Sequence, residues 1–196
     1  MLSKCYLNRE DIHMNKVVVS FPGIGYHCDK PLLYYGRKIA HEYGYDKEIK
    51  VEYSYDGGNI KGNPDKMLDA FNCLYSKACE QLDKIDFSEY EEVLFISKSI
   101  GTAVCAKYAA DHNINCKKVL YTPLAETFLF EVTGSIAFTG TSDPWTDTDV
   151  IISKSREQNV PLYIYEGANH SLETTDTMHN INTIMDVMEK TKSYLM

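Results

Sequence analysis

No hydrophobic run in this 196-residue chain approaches the roughly 18 residues needed to cross a bilayer. Clustered basic residues, CxxC pairs, internal repeats and low-complexity tracts are also missing. Each absence closes a class of function. Acidic residues outnumber basic ones, 28 to 20, for a formal net charge of −8, so no nucleic-acid partner is expected. The six cysteines, Cys5, Cys28, Cys73, Cys79, Cys105 and Cys116, lie scattered in a chain long for a disulfide-stapled scaffold, and no signal peptide precedes them. They read as reduced thiols, and the expected setting is cytoplasmic, with no membrane partner. The histidines, at 13, 27, 41, 112, 170 and 179, show neither HxxxH nor HxH spacing, so neither a metal nor a cofactor is expected. Oligomeric state is not readable from the sequence.

What is present is ordinary globular composition, 44% hydrophobic and 24% charged, in a length that suits one domain spanning 1–196. Short β-branched and aromatic runs alternate with helical patterns. Strands are expected at Lys16–Phe21, Ile49–Tyr55, Val93–Ile96, Lys117–Tyr121, Ser135–Gly140 and Leu162–Tyr165. Helices are expected at Pro31–Tyr43, Asp65 to about Ile85, Thr102–Ala110, Thr148–Gln158 and roughly Asn180–Tyr194. Cys5-Tyr6-Leu7 reads as an edge strand, and Ala125–Val132 as a short helix or an irregular segment. Alternating strands and helices imply a mainly parallel twisted sheet in a three-layer α/β/α sandwich, with ligands beyond the carboxyl ends of the strands.

One stretch organises the rest. Val93–Ile96 runs into Ser97-Lys98-Ser99-Ile100-Gly101 and then into a helix rich in small residues. A strand turning directly into a helix holds its central residue at a sharp, strained bend, and small residues two places to either side let the neighbouring backbones pass. This would expose the Ser99 hydroxyl at a helix N-terminus, as a nucleophile; the plainer alternative is a serine that merely caps the helix. Asp143 follows the next but one strand and His170 the last, giving the chain order Ser, Asp, His. His170 is then the base that takes the Ser99 proton, and Asp143 orients it. Asp147 and His27 are the competing residues, and His179 belongs to the start of the last helix. Oxyanion donors are expected from the backbone N–H groups of Ile100 and of Ile24, within Pro22-Gly-Ile-Gly25. That loop matches neither GxxxxGKS nor GxGxxG.

Four blocks, Phe21-Pro-Gly-Ile-Gly25, Ser97-Lys-Ser-Ile-Gly101, Gly140-Thr-Ser-Asp-Pro144 and Gly167-Ala-Asn-His-Ser-Leu-Glu173, give the chain its resemblance to the α/β-hydrolase superfamily, in particular to its small, lidless, dienelactone-hydrolase-like members. The resemblance spans roughly residues 16–196. It implies a serine hydrolase acting on ester-type acyl compounds through an acyl-enzyme. Two positions depart from the pattern: Ser97 stands for glycine, and Pro22 stands where a histidine precedes the oxyanion glycine. The stretch 122–134 is too short for a cap domain, so an open site is expected, shaped by the 56–64 loop, the 26–30 loop and the 128–130 segment. Tyr26, Phe128 and Trp145 are the expected substrate contacts, for a small-molecule acyl substrate; the alternatives are that Phe128 and its neighbours belong to the core and that Trp145 fills space beneath the rim. Thioesterase and peptidase chemistry share this mechanism, and a non-catalytic scaffold shares the fold. Cys28 lies near the oxyanion loop but not at the elbow, and is read as non-catalytic.

Overall fold

The computed structural model describes residues 15–196; the strand expected at Cys5-Tyr6-Leu7 lies outside them. Six strands form one sheet: β1 Lys16–Phe21, β2 Lys47–Lys50, β3 Glu92–Lys98, β4 Lys117–Tyr121, β5 Ile136–Gly140 and β6 Leu162–Tyr165. Their spatial order is β2-β1-β3-β4-β5-β6, and every pairing is parallel. Such an arrangement requires five crossovers, and among the described residues four of the five α-helices supply all but that from β4 to β5. These are α1 Pro31–Glu42, α2 Pro64–Leu82, α3 Ile100–Asp111 and α4 Thr148–Glu157, with α5 Thr177–Leu195 closing the chain.

Alternation along the strands sorts the core into two layers. Val18, Leu94, Ile96, Val119 and Phe138 pack with α1 and α5, while Val17, Val19, Val93 and Phe95 pack with α2 and α3. Leu120 and Ala137 extend the second layer under α4. The central strands are buried on both sides and read as continuous apolar runs for that reason. The chain order reverses between β1 and β3, whose ends are level, Phe21 opposite Ser97. That is the crevice where parallel sheets bind ligands.

Two expectations change. The strand read at Ile49–Tyr55 pairs only at Lys47–Lys50. From Val51 to Tyr55 buried or half-buried residues still alternate with exposed ones, but β1 has ended at Phe21, so no ladder remains to pair with. Beyond the Val51 N–H, which still donates to the Ser20 carbonyl at 3.0 Å, the backbone turns to α2, where Gln81 Oε1 accepts from the Glu52 N–H and its Nε2 donates to the Glu52 carbonyl, both at 2.9 Å. The last helix starts at Thr177, because Asp176 caps it by accepting from the N–H groups of Met178 and His179. The ambiguous 125–132 stretch contains a 3₁₀ turn, Ala125–Leu129, and the connection from β4 to β5 holds nothing larger. Among the described residues no helix is long and apolar enough to cross a membrane, and the five described cysteines are free.

Candidate active site

Ser99 sits between β3 and α3 with φ 58° and ψ −132°, a conformation costly for a residue with a side chain and held only when the surroundings impose it. They do so on three sides. The Ser99 N–H donates to the Tyr121 carbonyl at 3.0 Å, and the Ser99 carbonyl accepts from the Thr102 N–H at 2.8 Å and the Thr102 hydroxyl at 2.6 Å. Gly101 lies so close to β1 that a Cβ there would stand 2.4 Å from the Pro22 oxygen and 2.5 Å from the Phe21 oxygen. Glycine is therefore required two places after the serine. Two places before it, Ser97 is tolerated, since its buried hydroxyl donates to the Val119 carbonyl at 3.2 Å.

The Ser99 side chain makes no capping hydrogen bond to α3. Its Oγ faces His170 Nε2 at 2.7 Å, and His170 Nδ1 faces Asp143 Oδ2 at 2.6 Å. The other carboxylate oxygen, Oδ1, accepts from the Trp145 N–H at 2.9 Å. With Asp143 ionised, the ring hydrogen belongs on Nδ1, leaving Nε2 to accept the serine proton.

The two loops carrying Asp143 and His170 are fastened to each other. The N–H of Thr141 donates to the Tyr165 carbonyl at 3.0 Å, that of Ser142 to the Ala168 carbonyl at 3.0 Å, and that of Gly167 to the Thr141 hydroxyl at 2.8 Å. A Cβ on Gly140 would meet the Ala168 oxygen at 2.1 Å, so glycine at the end of β5 is what allows this approach. Asn169 closes the histidine turn, its Oδ1 accepting from the Ser171 N–H at 2.7 Å.

Burial depresses the His170 pKa below its ordinary value. The Lys98 charge acts in the same direction, and the bond to Asp143 opposes both. Lys98, directly before Ser99, is only 2% exposed. Burial pulls its pKa down to about 7, against the fields of Asp143 and Glu173, and its Nζ lies 5.0 Å over the Tyr26 ring. Sequence reading passed over Lys98, because the elbow pattern leaves that position free.

Ile100 opens α3, where backbone N–H groups lack intrahelical acceptors. Gly23 and Tyr26 bond each other's backbone at 3.1 and 3.2 Å, with Ile24 at the tip of the turn they close. The competitors fall elsewhere: Asp147 caps α4 by accepting from the Asp149 N–H, His179 lies in α5, and the exposed His27 accepts from the Asp29 N–H.

The expected substrate contacts divide. Trp145 is half-buried with its ring 5.8 Å from that of His170, and Lys61 from the 56–64 loop reaches over it at 5.9 Å. Tyr26 is no pocket wall: it is 9% exposed, and its hydroxyl accepts from the Leu32 N–H at the start of α1. Phe128 is likewise turned into the core with Leu120 and Ile151, while its neighbours Leu129 and Phe130 face an apolar cleft. That cleft, about 240 Å³, starts at Ile100 and runs between α2 and the 3₁₀ turn, lined also by Met67, Leu68 and Phe71. Helical spacing alone does not say which end of the apolar stripe on α2 is left uncovered. A second cavity, about 430 Å³, opens at Gly23 and Ile24 and has a mixed lining, Val51, Tyr53 and Tyr55 beside His27, Asp29, Lys50 and Glu52.

No family model matches the sequence, and no curated protein matches it. Solved structures do match the fold. An α/β serine hydrolase homologue from Coxiella burnetii aligns over 93% of this chain and 85% of its own, with TM-score 0.61 and 14% identity. A lidless α/β serine hydrolase from Xanthomonas campestris aligns over 94% and 83%, with TM-score 0.59 and 11% identity. An esterase from Pyrococcus furiosus aligns over 93% and 84%, with TM-score 0.57 and 12% identity. The chain has the α/β-hydrolase fold. Within that fold, β1, β3, β5 and β6 present the candidate residues, and among the described residues no inserted cap covers the cleft beside Ile100.

Proposed function

We propose that the protein is a serine hydrolase that cleaves ester-type acyl substrates through a Ser99–His170–Asp143 triad and an acyl-enzyme. The observation that carries this reading is the pair of hydrogen bonds made by His170, Nε2 to Ser99 at 2.7 Å and Nδ1 to Asp143 at 2.6 Å, on a serine whose hydroxyl is spared from capping.

In this reading Ser99 Oγ attacks the carbonyl carbon as His170 Nε2 takes its proton, and the oxyanion is received by the N–H groups of Ile100 and Ile24. The carbon–oxygen bond to the alcohol then breaks. Nε2–H protonates the departing oxygen, leaving the acyl group on Ser99. Water attacks that ester, gives its proton to Nε2, and the proton returns to Ser99 as the acid leaves. The low pKa of His170 keeps the imidazole neutral and able to accept at neutral pH. The apolar cleft beside Ile100 suits the acyl chain.

Intact-mass analysis after incubation with a fluorophosphonate tests the proposal. One adduct on the wild type and none on Ser99→Ala is the expected result. Absence of labelling on either protein would overturn it in favour of a non-catalytic scaffold, and labelling of both would place the nucleophile elsewhere.

A further inference from the structure

We propose a metal site for Zn²⁺ or a similar borderline-soft divalent cation at the far end of α3, formed by Cys79, Asp83 and His112. The thiol sulfur, a carboxylate oxygen and an imidazole nitrogen of these residues all lie within 4.8 Å of one another. Cys79 and Asp83 are one turn apart at the end of α2, and His112 is the residue that ends α3. One sulfur, one nitrogen and one oxygen make a donor set suited to zinc, with a fourth position for water.

The geometry agrees where it is most closely defined. Zinc bonds of about 2.0–2.2 Å to nitrogen and oxygen place two tetrahedral ligands about 3.4 Å apart, and His112 Nε2 lies 3.5 Å from Asp83 Oδ1. The ligands are also oriented from behind, as outer-shell partners of metal sites are. The Tyr108 hydroxyl donates to Asp83 Oδ1 at 3.1 Å, and the Tyr108 ring stacks on His112 at 4.2 Å. The surrounding field favours a cation. Two helix C-termini converge here, and neither has a basic residue in its last turn. Scanning for histidine pairs could not reveal such a site, because its ligands come from two helices that meet only in the fold.

The site is independent of the hydrolase reading. Twelve residues of α3 separate it from Ser99, about 18 Å along the helix axis, and its effect is to tie the ends of α2 and α3 together. Co²⁺ titration of the reduced full chain is the test. Saturation at one equivalent is expected, with a sulfur-to-cobalt charge-transfer band that Zn²⁺ abolishes. Cys79→Ser should lose the band, and Tyr108→Phe, which keeps the ring but not the hydroxyl, should weaken Co²⁺ binding about tenfold. Cys73→Ser, a free cysteine outside the cluster, should retain the band. Excess Zn²⁺ should raise the melting temperature of the wild type and leave that of Cys79→Ser unchanged. No saturable band in the wild type, or a band that persists in Cys79→Ser, would overturn the proposal.

Discussion

Gly23 and Ser99 are in direct apposition: a Cβ added at residue 23 would stand 3.0 Å from the Ser99 Cβ and 3.6 Å from its Oγ. The base of the turn that carries Ile24 is thereby set against the elbow, which is where a loop supplying an oxyanion donor has to be. Gly23→Ala must displace one or the other by a few tenths of an ångström, enough to spoil an alignment on which oxyanion stabilisation depends. Loss of one such donor costs about 10²–10³-fold in kcat, and a fall of that order in ester turnover is expected with the melting temperature little changed. Gly101→Ala makes the contrast. There the added carbon meets the backbone oxygens of Pro22 and Phe21 at 2.4 and 2.5 Å, so the expected outcome is a large loss of melting temperature.

Asp143→Asn tests the carboxylate separately from the fold. An amide at residue 143 that donates to His170 Nδ1 would force the hydrogen onto Nε2, the atom that has to receive the Ser99 proton. In serine proteases the equivalent change costs about 10⁴-fold in kcat with the geometry intact. A similar loss is expected here, together with a much slower fluorophosphonate reaction. An unchanged rate would show that the carboxylate bonded to Nδ1 at 2.6 Å does not set the tautomer.

The pH dependence follows from the direction of the His170 shift. Burial lowers its pKa, so the fraction of neutral base stays high through pH 7 and falls only below the usual histidine value of about 6.5. The profile of kcat/KM should therefore have its acid limb below pH 6.5, and a limb above that value would contradict the assignment. The same shift bears on stability. The folded histidine binds its proton less tightly than the unfolded one, so stability is complete above the unfolded pKa and is lost as pH falls through the folded one.

Lys98 gives a stability prediction of the same sign in another pH window. Its pKa falls from 10.5 to about 7 on folding. Between those values the unfolded chain binds more protons, and stability rises with pH. At about 1.4 kcal/mol per unit, burying this lysine costs several kcal/mol at neutral pH. Lys98→Met, similar in length and uncharged, should raise the melting temperature at pH 7, with the gain shrinking towards pH 10.5. A substitution that destabilises at pH 7 would show that the ammonium is better compensated than its burial implies.

The four blocks on which the proposed chemistry rests are readable in the sequence because each is local. An elbow, a strand-end aspartate and a strand-end histidine are defined by their immediate neighbours, and a parallel sheet brings strand ends together without further information. The strands Lys16–Phe21, Lys117–Tyr121 and Leu162–Tyr165 stand in the structure with the bounds their sequence pattern gives. What the sequence did not disclose depends on partners far along the chain. Val51–Tyr55 alternates as a strand does, but whether it pairs is decided by where β1 stops. Tyr26 and Phe128 look like the aromatics of a pocket, and only packing shows that one caps the start of α1 and the other fills the layer under α4. Lys98 was invisible as a perturbed group because burial, not residue type, perturbs it.

The cleft beside Ile100 predicts how rate depends on acyl length. Its volume of about 240 Å³ has room for roughly eight methylene-sized units, taking about 30 Å³ for each, as for a water molecule in the liquid. A methylene moved from water into an apolar site gains about 0.8 kcal/mol, or close to fourfold in kcat/KM. In a series of p-nitrophenyl esters, kcat/KM should climb by about that factor per carbon and then level off once the cleft is filled. Leu129 is 72% exposed at its edge, so Leu129→Asp removes apolar lining without touching the core. That variant should flatten the series and leave acetate-ester turnover nearly unchanged. If the slope persists in Leu129→Asp, the chain runs instead into the cavity at Gly23 and Ile24, where Val51, Tyr53 and Tyr55 supply apolar lining. A flat series in the wild type would mean that the acyl group projects into solvent and that the cleft serves some other part of the substrate.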